Sequence, residues 1–117
     1  MWHSLGKVTV AAAGTLAQAT ANETTPSARY ACQTLFFQQL ADNTGKIYIC
    51  DRQNANRTTL VGVLAVIPAP TLTNQVATIL PYASVTVPSA PAALSANQFW
   101  IDVDNSGESC LVSAVRN

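Results

Sequence analysis

Asp102, Asp104 and Ser106 stand at alternate positions in the run Asp102-Val103-Asp104-Asn105-Ser106-Gly107. Oxygen ligands at positions one, three and five, with glycine at six, open a calcium loop. A chelating glutamate normally closes such a loop at position twelve, and Ser113 stands there instead. The same residues read as strand, turn, strand. We therefore expect a plain hairpin turn, with Asp102, Asp104 and Ser106 as the only candidate metal ligands and no cofactor. Asp102 and Asp104 fall on one strand face, read as solvated. Glycoside hydrolysis instead needs two carboxylates facing each other across a sugar.

Nucleophilic catalysis fails for want of a base. The single histidine, His3, lies near the N-terminus. A Cys–His or Ser–His–Asp site would need that segment docked in a cleft. The three cysteines, Cys32, Cys50 and Cys110, are odd in number and widely spaced, with no CxxC pair. That argues against zinc and for reduced, buried or half-buried thiols. No P-loop or dinucleotide fingerprint occurs. The sequons at Asn22 and Asn56 read as polar loops. No catalytic set is expected, so the chain is read as not an enzyme.

Such a chain must use its surfaces. Of its 117 residues, 49 % are hydrophobic and only 10 % charged, against roughly 25 % charged in ordinary soluble domains. Uncharged polar residues, or burial against partners, must cover the remainder. Six basic and six acidic residues cancel, and the basic ones form no stripe, which speaks against direct nucleic-acid binding. The apolar run 8–13 imitates a signal peptide, but Gly14 and Thr15 interrupt it. No run approaches the ~18 apolar residues of a membrane helix, so no membrane association is expected.

The elements are strands. Period-2 alternation recurs over 7–12, 15–20, 33–40, 46–51, 98–104 and 108–115. Residues 59–67 form an apolar run with Gly62 inside it, read as a buried strand with a bulge or close backbone approach. Residues 75–87 read as two strands bent at Pro81, and 88–96 as an extended loop. Strands 33–40 and 46–51 read as a hairpin across Asp42-Asn43-Thr44-Gly45, whose glycine can take positive φ. Leu35, Phe37, Ile47, Ile49, Phe99, Ile101 and Val103 are placed inward. The expected fold is all-β: one antiparallel β-sandwich over 7–117, jelly-roll or immunoglobulin-like, of about eight short strands. Residues 1–6 precede it as an extended N-terminal arm.

Alternation puts Phe36, Tyr48 and Trp100 on polar-side faces. Either both sheet faces are partly covered, or these aromatics form a contact patch, since Trp and Tyr are favoured interface anchors. Trp2, Leu5, Phe36, Tyr48 and Trp100 are the candidate contact residues, Trp2 and Leu5 because apolar side chains in an arm suggest anchoring.

Three stretches, residues 6–15 (GKVTVAAAGT), 43–51 (NTGKIYICD) and 99–108 (FWIDVDNSGE), resemble segments of small virion proteins of tailed bacteriophages. The resemblance as a whole covers about half the chain, and the 60–87 region departs from that pattern. The resemblance implies a capsid decoration, or cement, protein on the capsid surface, made in the host cytoplasm. Its partners would be the major capsid protein, other virion subunits and further copies of itself. The alternatives are a head–tail connector, tail or fibre component, and, in another class, a carbohydrate- or receptor-binding module using Trp100 near Asp102 and Asp104.

Overall fold

The structure, a computed structural model, describes residues 2–23, 31–32, 34–70, 84–88 and 94–115, without the side chains of Trp2, Ala31, 84–88 and Leu94. Ten strands occur among them: β1 (Trp2–Thr9), β2 (Ala17–Gln18), β3 (Ala31–Cys32), β4 (Thr34–Gln39), β5 (Ile47–Cys50), β6 (Val63–Ile67), β7 (Ser84–Pro88), β8 (Leu94–Ser95), β9 (Trp100–Val103) and β10 (Ser109–Val115). The expected bend at Pro81 and the loop residues 89–93 and 24–30 lie outside the described residues.

The pairing is nested. β1 pairs with β10, β2 with β9, β3 with β8, β4 with β7 and β5 with β6, all antiparallel. Two further pairings, β10 with β4 and β9 with β5, close the sheets. One four-stranded sheet runs β1-β10-β4-β7 and the other β2-β9-β5-β6. A long antiparallel ribbon folded over on itself in this way has the jelly-roll order, one of the two left open by the sequence.

Side-chain alternation builds the core. Leu35 and Phe37 of β4, Val112 and Ala114 of β10, Ile47 and Ile49 of β5, and Ile101 and Val103 of β9 are buried between the sheets. Phe37 and Phe99 meet with ring centroids 6.2 Å apart and planes tilted by 49°, a geometry that adds to simple area burial.

Two expectations are corrected. The segment 2–6 is not an arm: Trp2 to Thr9 pair along β10, with a register shift between Ser4 and Gly6. Leu5 and Val8 on either side of that bulge both reach the core, so the apolar pattern continues further toward the N-terminus than the 7–12 run suggested. Nor do strands 34–39 and 47–50 form a hairpin, because β4 and β5 belong to different sheets. The same holds for β9 and β10. Both connections cross from one sheet to the other.

The β4–β5 crossing is held by a buried amide pair. Gln39 is fully buried and Asn43 nearly so. The Asn43 Nδ2 donates to Gln39 Oε1 and to the Ser109 carbonyl, each at 2.6 Å. Its Oδ1 accepts from Ser109 N at 3.2 Å. The Gln39 Nε2 donates to the carbonyls of Gly45 and Pro68. Four backbone segments are thus joined by two side chains, satisfying groups that would otherwise be buried without partners. Gly45 serves close approach rather than a left-handed turn: its φ is not among the positive ones, and a Cβ there would lie 2.8 Å from both Asp104 Cβ and Asn105 Nδ2.

Candidate functional site

The oxygens of the 102–108 turn meet protein donors rather than one another. Asp102 is 1 % exposed, which corrects its assignment to a solvated face. Its Oδ1 accepts from Gly14 N and from Val103 N, each at 2.8 Å, and its Oδ2 from Arg57 Nη1 at 3.4 Å. Asp104 accepts from the Tyr48 hydroxyl at 2.8 Å and from Lys46 N at 3.0 Å. Ser106 Oγ accepts from Ala13 N at 2.8 Å. These oxygens therefore stitch the turn 11–15, strand β5 and the loop 51–62 to β9 instead of converging. Among the described residues no group of three His, Cys, Asp or Glu side chains comes together.

Glu108, which its spacing did not single out, closes the other end of this turn. Its Oε2 accepts from Thr44 N and Thr44 Oγ1 at 2.6 and 2.9 Å, and its Oε1 from Gly45 N at 3.0 Å. Desolvation acts to raise the carboxyl pKa, but the hydrogen bonds from Thr44 and Gly45 outweigh it and hold it below the ordinary glutamate value. A depressed carboxylate adds stability that is fully present above its unfolded pKa and disappears as the pH falls through the folded one. The Glu108→Gln variant is accordingly expected to lose about 1–2 kcal/mol near neutral pH. In urea titrations run at decreasing pH, the gap between variant and wild type should shrink.

The remaining reactive groups are also occupied or buried. His3 Nε2 sits 2.9 Å from Glu23 Oε1. Cys32, Cys50 and Cys110 are all buried. Burial, and then the charges of Asp102 and Asp51, push the Cys50 thiol up to about 12, and burial pushes Cys110 to about 12 as well. Thiols so protonated at neutral pH are not nucleophiles.

The candidate contact residues divide. Leu5 lies in the core between the sheets, and Tyr48 is buried with Leu16 and Cys50 on the outer face of the β2-β9-β5-β6 sheet. Ala55, Val63 and Trp100 pack over that second cluster. The outer face of β5 is therefore covered, and Leu5 and Tyr48 are interior residues of their own domain. The loop 51–62 supplies the cover, which period-2 alternation alone does not register. Phe36 and Trp100 are half-buried. Trp2 pairs with Val115 through its backbone, and its side chain lies outside the described residues.

Among the described residues, the exposed large apolar side chains lie elsewhere. Leu60, Val61, Leu64 and Val66 are 51 %, 60 %, 54 % and 39 % exposed. Leu60 and Val61 form the tip of the β5–β6 connection, and that tip is tightly tied. Asn56 Oδ1 accepts from the N–H groups of Thr58 and Thr59 at 2.8 and 3.0 Å. Asn56 and Leu60 are further joined by backbone bonds, Leu60 N to Asn56 O and Asn56 N to Val61 O. Leu60 holds a φ of +65°, a left-handed conformation that is unfavourable for a bulky residue and persists only where its surroundings enforce it. Gly62, at φ +83°, lies so close to Ala55 and Arg52 that a Cβ would sit 2.8 Å from Ala55 Cβ. The close approach expected at that glycine is realised, whereas the bulge is not there: Gly62 precedes β6, whose register shift falls at Leu64. The run 59–67, however, is a strand only from Val63 on, and its first part is an apolar tip rather than a buried strand.

No protein-family model matches the chain, and no curated protein or solved structure is significantly similar to it.

An open groove of about 720 Å³ lies at the end of the sandwich where β5 ends and β9 begins. Asp51, Leu64, Asn97, Gln98 and Trp100 are among its lining residues. Asp102 and Asp104, paired with Trp100 by sequence alternation, do not line it. Among the described residues no helix is long and apolar enough to cross a membrane.

Proposed function

We propose that this chain is a structural protein of a bacteriophage particle, acting as a capsid decoration (cement) protein. The observation that carries the proposal is the exposure of Leu60 and Val61 at the tip of a hydrogen-bonded connection. Elsewhere in the domain, the carboxylates of Asp102, Asp104 and Glu108 are given over to holding the scaffold. A rigid apolar projection on a charge-poor domain suits docking into a neighbouring protein surface, because ordering entropy is spent on folding rather than on binding. The mechanism is passive. Each copy sits across a junction between major capsid protein subunits and buries apolar area on its neighbours, at roughly 25 cal/mol per Å². Repetition over the particle multiplies a small contribution. The protein is then located on the outside of the capsid, is not an enzyme and needs no cofactor. The segments resembling tailed-phage virion proteins support the same reading.

Particles assembled without this protein are expected to form but to release their DNA at lower temperature than complete ones. Thermal release followed with a DNA-binding dye reads this out, and identical release temperatures would remove the cement role.

A second reading, glycan binding, draws on the groove. A tryptophan beside a carboxylate and two amides has the composition of a sugar site, with Trp100 as the stacking surface and Asp51, Asn97 and Gln98 as hydrogen-bonding groups. Binding on a glycan array that Trp100→Ala abolishes would favour this reading over cementing.

A further inference from the structure

The two flanks of the sandwich differ in charge. At one flank the sheets end in β1 and β2, and His3, Lys7 and Glu23 stand on or next to these strands. At the other, among the described residues, they end in β6 and β7. Both of those strands belong to a stretch, from Thr58 to Ile101, without a single Asp, Glu, Lys or Arg. Edge strands normally carry charges that discourage pairing with another chain. β6 carries none.

β6 reads Val63-Leu64-Ala65-Val66-Ile67. It pairs with β5 along one side, and among the described residues no strand pairs with its other side. Its backbone N–H and C=O groups on that side form a ready template for an added strand. Leu64 and Val66, more than a third exposed, stand on either side of Ala65, and a register shift against β5 falls at Leu64.

We propose that this edge is a homotypic interface: β6 of one copy pairs antiparallel with β6 of a second copy, about a two-fold axis near Ala65. In that register Leu64 of each copy faces Val66 of the other, and the two four-stranded sheets join into one of eight. Self-pairing sets like against like, so a charge anywhere on the edge would oppose itself across the axis. The absence of charge removes that penalty. It also gives an unlike partner no electrostatic feature to select by, whereas a second copy matches the edge in length, register and polarity by symmetry. The formal net charge of zero adds no long-range repulsion between copies. The inference goes beyond the cement reading and does not rest on it, since it uses β6 rather than the Leu60–Val61 tip.

Sedimentation of the purified full chain over a concentration series tests it, together with hydrogen exchange at low and high concentration. A concentration-dependent dimer is expected, with the amides of 63–67 exchanging more slowly as the dimer forms. Val66→Lys should raise the dimer dissociation constant at least about tenfold. A monomer up to the solubility limit would overturn the proposal. So would a dimer whose 63–67 amides stay unprotected, or one that Val66→Lys leaves equally tight. Should the lysine variant fail to fold, the wild-type exchange data decide alone. A β6 edge that is protected only by the major capsid protein would overturn homotypic pairing while leaving the cement reading standing.

Discussion

Asn43→Leu is expected to lower the unfolding free energy by about 3–4 kcal/mol, since each buried backbone or side-chain group left without a partner costs about 1–3 kcal/mol. Asn43 serves Gln39 Oε1, the Ser109 carbonyl and the Ser109 N–H. Leucine has a similar volume, so the loss is not a cavity effect. It comes from stranding polar groups in the layer between the sheets, where water does not replace the amide. Gln39 keeps one donor, Leu40 N, which limits the loss at that atom. For a domain whose whole stability is of the order of 5–15 kcal/mol, the change is severe. Urea unfolding would show a lower midpoint at unchanged slope. The exposed neighbour Asp42 provides the control: Asp42→Ala should shift stability by no more than about 0.5 kcal/mol. An Asn43→Leu midpoint equal to that of wild type would mean that the crossing from β4 to β5 is held by something else.

This crossing also marks where sequence reading stops. Alternation is a local property of a strand, and it assigned the inward faces correctly: Leu35, Phe37, Ile47, Ile49, Ile101 and Val103 are all fully buried. Phe99 follows at the margin. Alternation does not say which strand lies alongside. The short turn at 42–45 is as compatible with a hairpin as with a step between layers. Gln39 and Asn43 hold the step, their amides bonding to backbone groups at Gly45, Pro68 and Ser109. Asp102 was misplaced for a related reason. It alternates with core residues and so belongs on the outer face, but the loop 51–62 folds over that face and brings Arg57 to it. Tyr48 is hidden by the same cover. Alternation starting at Lys7 leaves Leu5 in an arm, whereas the bulge between Ser4 and Gly6 lets Leu5 and Val8 both turn inward. The exposed apolar residues are not legible in the sequence because 59–67 reads as one strand. Gly62 was the available signal: a glycine obliged to take positive φ divides the run into a tip and a strand.

The second large effect is expected at that tip. Replacing Leu60 and Val61 together by aspartate should weaken attachment to the particle about a hundredfold, or roughly 3 kcal/mol, the scale of a central apolar anchor. Both side chains are more than half exposed, so the free domain loses little. Thermal unfolding of the double variant should stay within a few degrees of wild type. The left-handed φ of Leu60 sharpens the expectation, because aspartate tolerates that conformation better than leucine does. A loss of attachment therefore cannot be traced to added backbone strain. Trp100→Ala, by contrast, opens the cover over Cys50 and Tyr48 and should be felt in stability before it is felt in attachment.

The most direct measurement is a binding isotherm of the purified protein on particles stripped of it, comparing wild type with the Leu60→Asp, Val61→Asp double variant. Saturable binding by wild type, a dissociation constant about a hundredfold higher for the variant and the same circular dichroism for both are the predicted results. Equal binding by the two proteins, or no binding by wild type, would contradict the claim that this chain works through the apolar surface it presents.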